Sequence, residues 1–284
     1  MPLVPTASLV QAAHEGRYGV GAFNVVHLEH AEAHVTGAEE ARAGVILQIS
    51  ENAVRWHGRL APLARAALAV AETARVPVAV HLDHATEPDL VDEAIALGFG
   101  SVMYDGSKLP WEQNLATTRE VVAGAAGREV WVEAELGEVG GKDGVHAPGV
   151  RTDPDEARRF VEMTGVDGLA VAVGTSHAMT TRTAELDLDL IAALRKAAGV
   201  PLVLHGSSGV PDEELTRAVE AGMTKINIAT HLNKVFTASV RDTLAAQPDL
   251  VDTRKYVGPA RQVMASEVAR LLEVLQAAER VAMT

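Results

Sequence analysis

Residues 76–106 read VPVAVHLDHATEPDLVDEAIALGFGSVMYDG, and the fold is legible in that one stretch. Val76–His81 is an apolar, β-branched run of strand length. Pro88 stands where the first turn of a helix tolerates a missing N–H, and Gly98 stands where the helix must stop. Gly98–Tyr104 is then a second apolar run, so strand, helix and strand follow one another as a βα unit. The pattern extends in both directions. Tyr18–Val25, Val45–Ser50, Glu129–Leu136, Gly168–Gly174, Val200–His205 and Thr224–Ala229 complete a set of eight runs. Helix punctuation recurs from Asp153-Pro154 to Gly165 and from Pro211 to Gly222. The runs are nearly continuous in hydrophobicity, as parallel strands covered on both faces are.

Eight such units in a chain of 284 residues predict an α/β fold, a single (β/α)8 TIM barrel spanning 1–284 with an extra C-terminal helix. An open doubly wound sheet would carry a Gly-rich dinucleotide turn after an early strand, and none follows Val25 or Ser50. The extra helix is expected from about Pro259, with Val263, Val268, Leu271, Leu272 and Leu275 on one apolar stripe. That stripe packs across the barrel or against a second subunit.

Composition excludes several functions. A net charge of −13 repels nucleic acid and anionic membranes. No apolar run approaches the ~18 residues that span a bilayer, and Met1–Pro5 begins no signal peptide, so a cytoplasmic location is expected. The absence of cysteine removes disulfides, thiolate metal sites and cysteine nucleophiles.

Barrel active sites lie at the C-terminal ends of the strands. Strand three ends His81-Leu82-Asp83-His84, strand six Gly174-Thr175-Ser176-His177, and strand seven at His205. Three histidines on three rims can converge as a catalytic metal requires, with a position left open. His14, His27, His30, His34, His57 and His146 fall on helices or loops, His231 follows strand eight, and His81 is read as supporting the rim. Acids stand at the same level: Asp83, Asp105, and the i, i+2 pair Glu133 and Glu135 on strand five. Glu133 has a structural ion pair as its simplest reading, whereas Asp83, beside a ligand candidate, suits acid–base work. His205-Gly206-Ser207-Ser208-Gly209 opens a helix, as does Asn227-Ile228-Ala229-Thr230, and turns there suit a phosphate. The stretch 137–144 holds four glycines and reads as a lid.

These motifs, in this order over nearly the whole chain, resemble the class II, metal-dependent ketose-bisphosphate aldolases that act on fructose or tagatose bisphosphate. The match also includes Gly21-Ala22-Phe23-Asn24-Val25, Val45–Ser50 and Arg254-Lys255-Tyr256. The resemblance implies zinc on His84, His177 and His205, with Asp83 as the acid–base group at the substrate's C4 hydroxyl. It places Asp105 and Glu135 around the metal or at a second metal location. Gly206, Ser208, Asn227 and Thr230 would take the dihydroxyacetone-phosphate half, with a monovalent cation (Na+ or K+) nearby, and Asn24 and Ser50 further substrate contacts. Arg254 would reach the distal phosphate from a neighbouring subunit, implying a homodimer or homotetramer. Relatives usually carry a proton-shuttling Glu in the lid; here Gly141-Lys142-Asp143-Gly144 lacks it, leaving Asp143 or Glu138, and Ala178 replaces a usual Gly. The implied reaction is reversible cleavage of fructose 1,6-bisphosphate to dihydroxyacetone phosphate and glyceraldehyde 3-phosphate through a metal-stabilised ene-diolate.

The motifs do not separate fructose from tagatose 1,6-bisphosphate, or zinc from other divalent metals. An amidohydrolase-type zinc barrel would show His-x-His on strand one, where Phe23-Asn24-Val25 stands. A barrel that binds metal or phosphate without turning over is the second rival. A Schiff-base aldolase, the third, would use Lys225 and leave the three rim histidines without a task.

Overall fold

The computed structural model describes residues 2–136, 151–175 and 181–281. Strands β1 (Val20–Asn24), β2 (Val45–Ser50), β3 (Val78–Ala85), β4 (Ser101–Tyr104), β5 (Trp131–Leu136), β6 (Gly168–Val171), β7 (Leu202–Leu204) and β8 (Met223–Ile228) pair in parallel, in chain order. β8 returns to β1, with Val20 opposite Lys225 and Phe23 opposite Ile228, so the barrel is closed as expected. Around it lie α1 (Thr6–Gly16), α2 (Leu28–Ala41), α3 (Glu51–His57), α4 (Ala61–Thr73), α5 (Pro88–Leu97) and α6 (Trp111–Ala125). They are followed by α7 (Pro154–Thr164), α8 (Leu188–Ala198), α9 (Asp212–Ala221), α10 (Thr230–Ala246) and α11 (Arg254–Val274).

The helix punctuation works as the sequence predicts. α5 opens with Pro88 and is stopped by Gly98 at φ 95°. The Asp153 carboxylate accepts the Asp155 and Glu156 amides at 2.9 and 3.0 Å to cap α7, and Gly165 ends it at φ 73°. Strand ends differ more. β3 runs four residues beyond His81, because its register against β4 shifts between Leu82 and Ala85 and lets pairing resume past the polar pair Asp83 and His84. β6 stops at Val171, short of the expected Gly174. Gly174 sits at φ 124°, where a Cβ would lie 2.3 Å from the Glu185 carbonyl oxygen, so only glycine lets the chain leave the sheet there.

Two apolar layers explain the unbroken hydrophobicity of the strands. Side chains on the outer face pack beneath the helices, with Phe23, Leu47, Leu82 and Leu169 fully buried. Inside, Val20, Ala22, Ile46, Ala79, Trp131, Ala170 and Val203 meet Leu9, Val10 and Ala13 of α1. α1 therefore plugs the N-terminal mouth, leaving the opposite mouth as the open end.

α11 starts at Arg254, five residues earlier than expected, and carries Pro259 within it on an exposed face, where the missing N–H is least costly. It packs along α2 at close range: a Cβ on Gly37 would fall 2.3 Å from the Ala265 carbonyl oxygen. Val268, Leu271, Leu272 and Leu275 are buried on this seam, but Val263 is 46% exposed and does not belong to the stripe. Among the described residues, no helix is long and apolar enough to cross a membrane.

Candidate functional site

At the C-terminal mouth a cavity of ≈ 260 Å³ is lined from β1 by Asn24, from β2 by Gln48 and Ser50, from β3 by Asp83 and His84, and from the β7 and β8 ends by His205, Gly206, Ser208, Asn227 and Thr230. Nine residues singled out in the sequence thus meet in one space. Gln48, Asn52 and Asn233 also line it and were missed. Only Gln48 left a signal, as a polar residue interrupting an otherwise apolar strand.

His84 adopts φ 53°, a left-handed conformation uncommon for a residue with a side chain, at the β3 register shift. The twist turns its ring inward. Nδ1 lies 2.7 Å from Asp105 Oδ2, and Asp105 is itself steadied by the Ser107 hydroxyl at 2.6 Å. On the other side Nε2 faces His205 Nδ1 at 2.9 Å. His205 Nε2 in turn donates to Glu133 Oε1 at 2.8 Å. Asn227 Nδ2 is 3.2 Å from that nitrogen and 3.3 Å from Asp83 Oδ1, with its amide oxygen fixed by Lys225 Nζ at 3.0 Å. With the proton of each ring on the nitrogen beside its carboxylate, the two facing nitrogens present their lone pairs to one another. Two facing lone pairs repel unless both nitrogens bind one cation, seated off the line between them because Zn–N bonds need about 2.0–2.1 Å. The donor set thus fits a divalent metal, with each ring oriented by a carboxylate behind it.

Asp83, His84 and His205 offer ligand atoms within 4.8 Å of one another, and so do His84, Asp105 and Glu135. Asp83 is 3% exposed. It accepts Asn24 Nδ2 at 3.4 Å and Asn227 Nδ2 at 3.3 Å, long bonds that leave its oxygens able to take a stronger donor. Gln48 Nε2 holds Asn24 Oδ1 at 2.7 Å, so the acid is aimed through two amides.

Beneath the rim, Glu133 Oε2 accepts Lys225 Nζ at 2.8 Å, with both side chains fully buried. Lys225 is thereby committed to an ion pair, as the sequence reading of Glu133 expects. His81 is not a rim group: it lies inside the barrel, its Nδ1 2.8 Å from Ser101 Oγ, and Ser101 reaches Thr6 Oγ1 of the plug at 2.7 Å. Burial, then the Lys225 charge, hold the His81 pKa well below the usual histidine value.

The β7 and β8 side of the cavity is shaped by backbone. Gly206 at φ 69° leads into a single 3-10 turn, Ser207–Gly209, beside the N-terminus of α10. Ser208 Oγ accepts the amides of Ala229 at 3.3 Å and His231 at 3.1 Å, capping a helix that has no side-chain cap of its own. Ser50 is arranged alike, its Oγ capping α3 by accepting the Ala53 amide at 3.2 Å.

His177, Glu138 and Asp143, and the glycine-rich stretch 137–144, lie outside the described residues. Arg254 does not line the cavity; its side chain is exposed and paired with Asp252 at 2.8 Å. His30 and His34 are buried on α2, with burial as the main cause of pKa values lowered to about 3 and about 4. They pack beside the β1 end, where the His34 ring meets the Asn24 carbonyl oxygen at 3.1 Å.

Residues 4–280 match the family model described as fructose-bisphosphate aldolase class-II. The chain is 42% identical over 273 residues to a probable fructose-bisphosphate aldolase of Bacillus subtilis (strain 168), covering 94% of this chain and 95% of that one. It is 40% identical over 272 residues to the fructose-bisphosphate aldolase of Geobacillus stearothermophilus, with the same coverage of 94% and 95%. Among solved structures it resembles the YdjI aldolase from Escherichia coli K12 (TM-score 0.88, 28% identity, 99% of this chain and 100% of that one). A putative fructose-1,6-biphosphate aldolase from Coccidioides immitis is similar too (TM-score 0.87, 30% identity, 97% of each chain).

Proposed function

The chain belongs to the class II fructose-bisphosphate aldolase family, and from that premise we propose that it cleaves fructose 1,6-bisphosphate, with zinc as its metal, in the cavity between His84, His205 and the Ser207–Gly209 turn. The observation that carries this reading is the pair of imidazole nitrogens, His84 Nε2 and His205 Nδ1, turned toward each other at 2.9 Å with a carboxylate behind each ring.

A divalent ion on these rings, with His177 as the third ligand, supplies the positive charge that stabilises the negative charge left on the three-carbon fragment. Asp105 and Glu135 stand around the same ion or offer it a second location. The other roles belong to side chains. Asp83 takes the C4 hydroxyl proton, the C3–C4 bond breaks with its electron pair passing to C3, and glyceraldehyde 3-phosphate leaves. Asp143 or Glu138 returns a proton to C3, giving dihydroxyacetone phosphate. Gly206, Ser208, Asn227 and Thr230 hold the phosphate of that fragment, where the α10 N-terminus adds favourable partial charge, and Na+ or K+ beside it belongs to the same reading. Asn24 and Ser50 contact the sugar hydroxyls. Arg254 of a second copy meets the far phosphate in a dimer or tetramer, and the enzyme works in the cytoplasm.

The test is a coupled cleavage assay on fructose and tagatose 1,6-bisphosphates, side by side, before and after chelation. Fructose bisphosphate should be cleaved faster, activity should disappear with chelator, and zinc should restore it. Activity that survives chelation, with a borohydride-trapped adduct on Lys225, would refute the reading.

A further inference from the structure

The turn proposed to hold phosphate is tied at Ser208 and, just past its end, at Val210 by one chain of side chains from four separate parts of the fold. At one end the His231 backbone amide donates to Ser208 Oγ at 3.1 Å, while its ring meets Glu267 Oε1 of α11 at 2.5 Å. Arg270, three residues along α11, binds both oxygens of Glu267 at 2.7 and 2.9 Å and reaches Asp212 Oδ2 at 2.6 Å. Asp212, the first residue of α9, takes Arg182 on its other oxygen at 2.5 Å. Arg182 then ends the chain by donating from Nε to the Val210 carbonyl oxygen at 2.8 Å, just past the far end of the turn.

Every acid here sits between two donors, and every arginine is held at two points, so the geometry is more fixed than that of an isolated surface pair. His231 is 19% and Glu267 17% exposed at the side chain, so the chain is only partly solvated. The Glu267 carboxyl lies at about 2 even though burial by itself would raise it, because Arg270 and His231 both hold its charged form. The start of α10 meets the turn at Ser208, whose Oγ accepts the Ala229 and His231 amides, and the His231 ring extends from the same residue to Glu267 on α11. His231 thus links the turn, the α10 N-terminus and α11.

We propose that the chain His231–Glu267–Arg270–Asp212–Arg182 is a positioning device for the phosphate end of the substrate. It keeps the Ser207–Gly209 turn and the α10 N-terminus at the separation a phosphate group spans, and so governs affinity rather than the bond-breaking step. The inference rests on the proposed function only in assigning the phosphate to this turn.

Inorganic phosphate, titrated calorimetrically into the zinc-loaded protein, is the direct probe. It is read alongside KM and kcat for fructose 1,6-bisphosphate and the thermal midpoint. Glu267→Gln and Arg270→Met should each weaken phosphate binding and raise KM by about fivefold, the order of one partly exposed ion pair, with kcat within about twofold. Arg270→Lys, which keeps a donor and the charge, should recover part of the affinity. Unchanged phosphate affinity in both removals, whatever happens to the thermal midpoint, overturns the proposal. So does a fall in kcat as large as the rise in KM. A wild-type protein that binds phosphate with this dependence yet cleaves no ketose bisphosphate would refute the proposed function and leave the positioning role standing.

Discussion

Lys225→Met removes the ammonium that pairs with Glu133 inside the barrel. The wild-type pair is 2.8 Å apart, and both side chains have zero exposure. Methionine keeps most of the volume but leaves a carboxylate in the barrel interior facing a thioether, and deleting one member of a buried pair costs about 3–5 kcal/mol. Unfolding entropy of about 2.1 cal/mol/K per residue gives a chain of this size about 0.6 kcal/mol/K near its midpoint, so the midpoint should fall by about 5–8 °C. Wild type and variant are compared by scanning calorimetry with chelator present, so that metal binding does not mask the difference. Adding Glu133→Leu to the variant should recover most of the loss, since two apolar side chains satisfy each other. A midpoint within 1 °C of wild type in the single variant would refute the reasoning, because no buried charge would then have been stranded. The amide of Asn227 also loses its anchor, as Lys225 holds its oxygen at 3.0 Å, so turnover should drop without vanishing.

Glu133→Gln presents an amide to His205 Nε2, reverses the ring's proton and puts a hydrogen on the nitrogen meant for metal; zinc affinity measured by chelator competition should weaken by about 10–100-fold. Asp83→Asn keeps an acceptor for only one of the Asn24 and Asn227 amides and removes the base, so kcat should fall by about 10²–10⁴ with zinc content unchanged by elemental analysis. Stability should decrease as pH falls from about 6.5 toward 4. His34, lowered to about 4 in the fold, is protonated first in the unfolded chain, which therefore binds more protons across that window. Midpoints recorded at pH 7 and 5 should differ less in His34→Gln than in wild type, and an equal difference in both would exclude His34 as the cause.

The barrel was legible because its signals are local. Eight apolar runs, Pro88, Gly98, Asp153, Gly165 and Gly222 act within a few residues of themselves, through backbone geometry and capping. The rim was legible for a related reason: a polar residue ending an apolar parallel strand, such as Asp83 or His205, has only the open mouth to face. Strand ends were less so, since the stop of β6 depends on a carbonyl eleven residues away, at Glu185, and the length of β3 on a shift against β4.

What the chain order by itself determined was the closed eight-unit cylinder and the set of side chains at its mouth. Tertiary structure alone decided which nitrogens face each other. His84 and His205 are 121 residues apart, and their ring nitrogens meet at 2.9 Å with His84 at φ 53° and with Asp105 and Glu133 on the opposite sides of the rings. It likewise decided that α1 fills the bottom of the barrel and that charges on α9, α10 and α11 join around one turn. Periodicity and caps act along the chain, whereas proton positions and ion pairs depend on distances that exist only after the eight strands have closed.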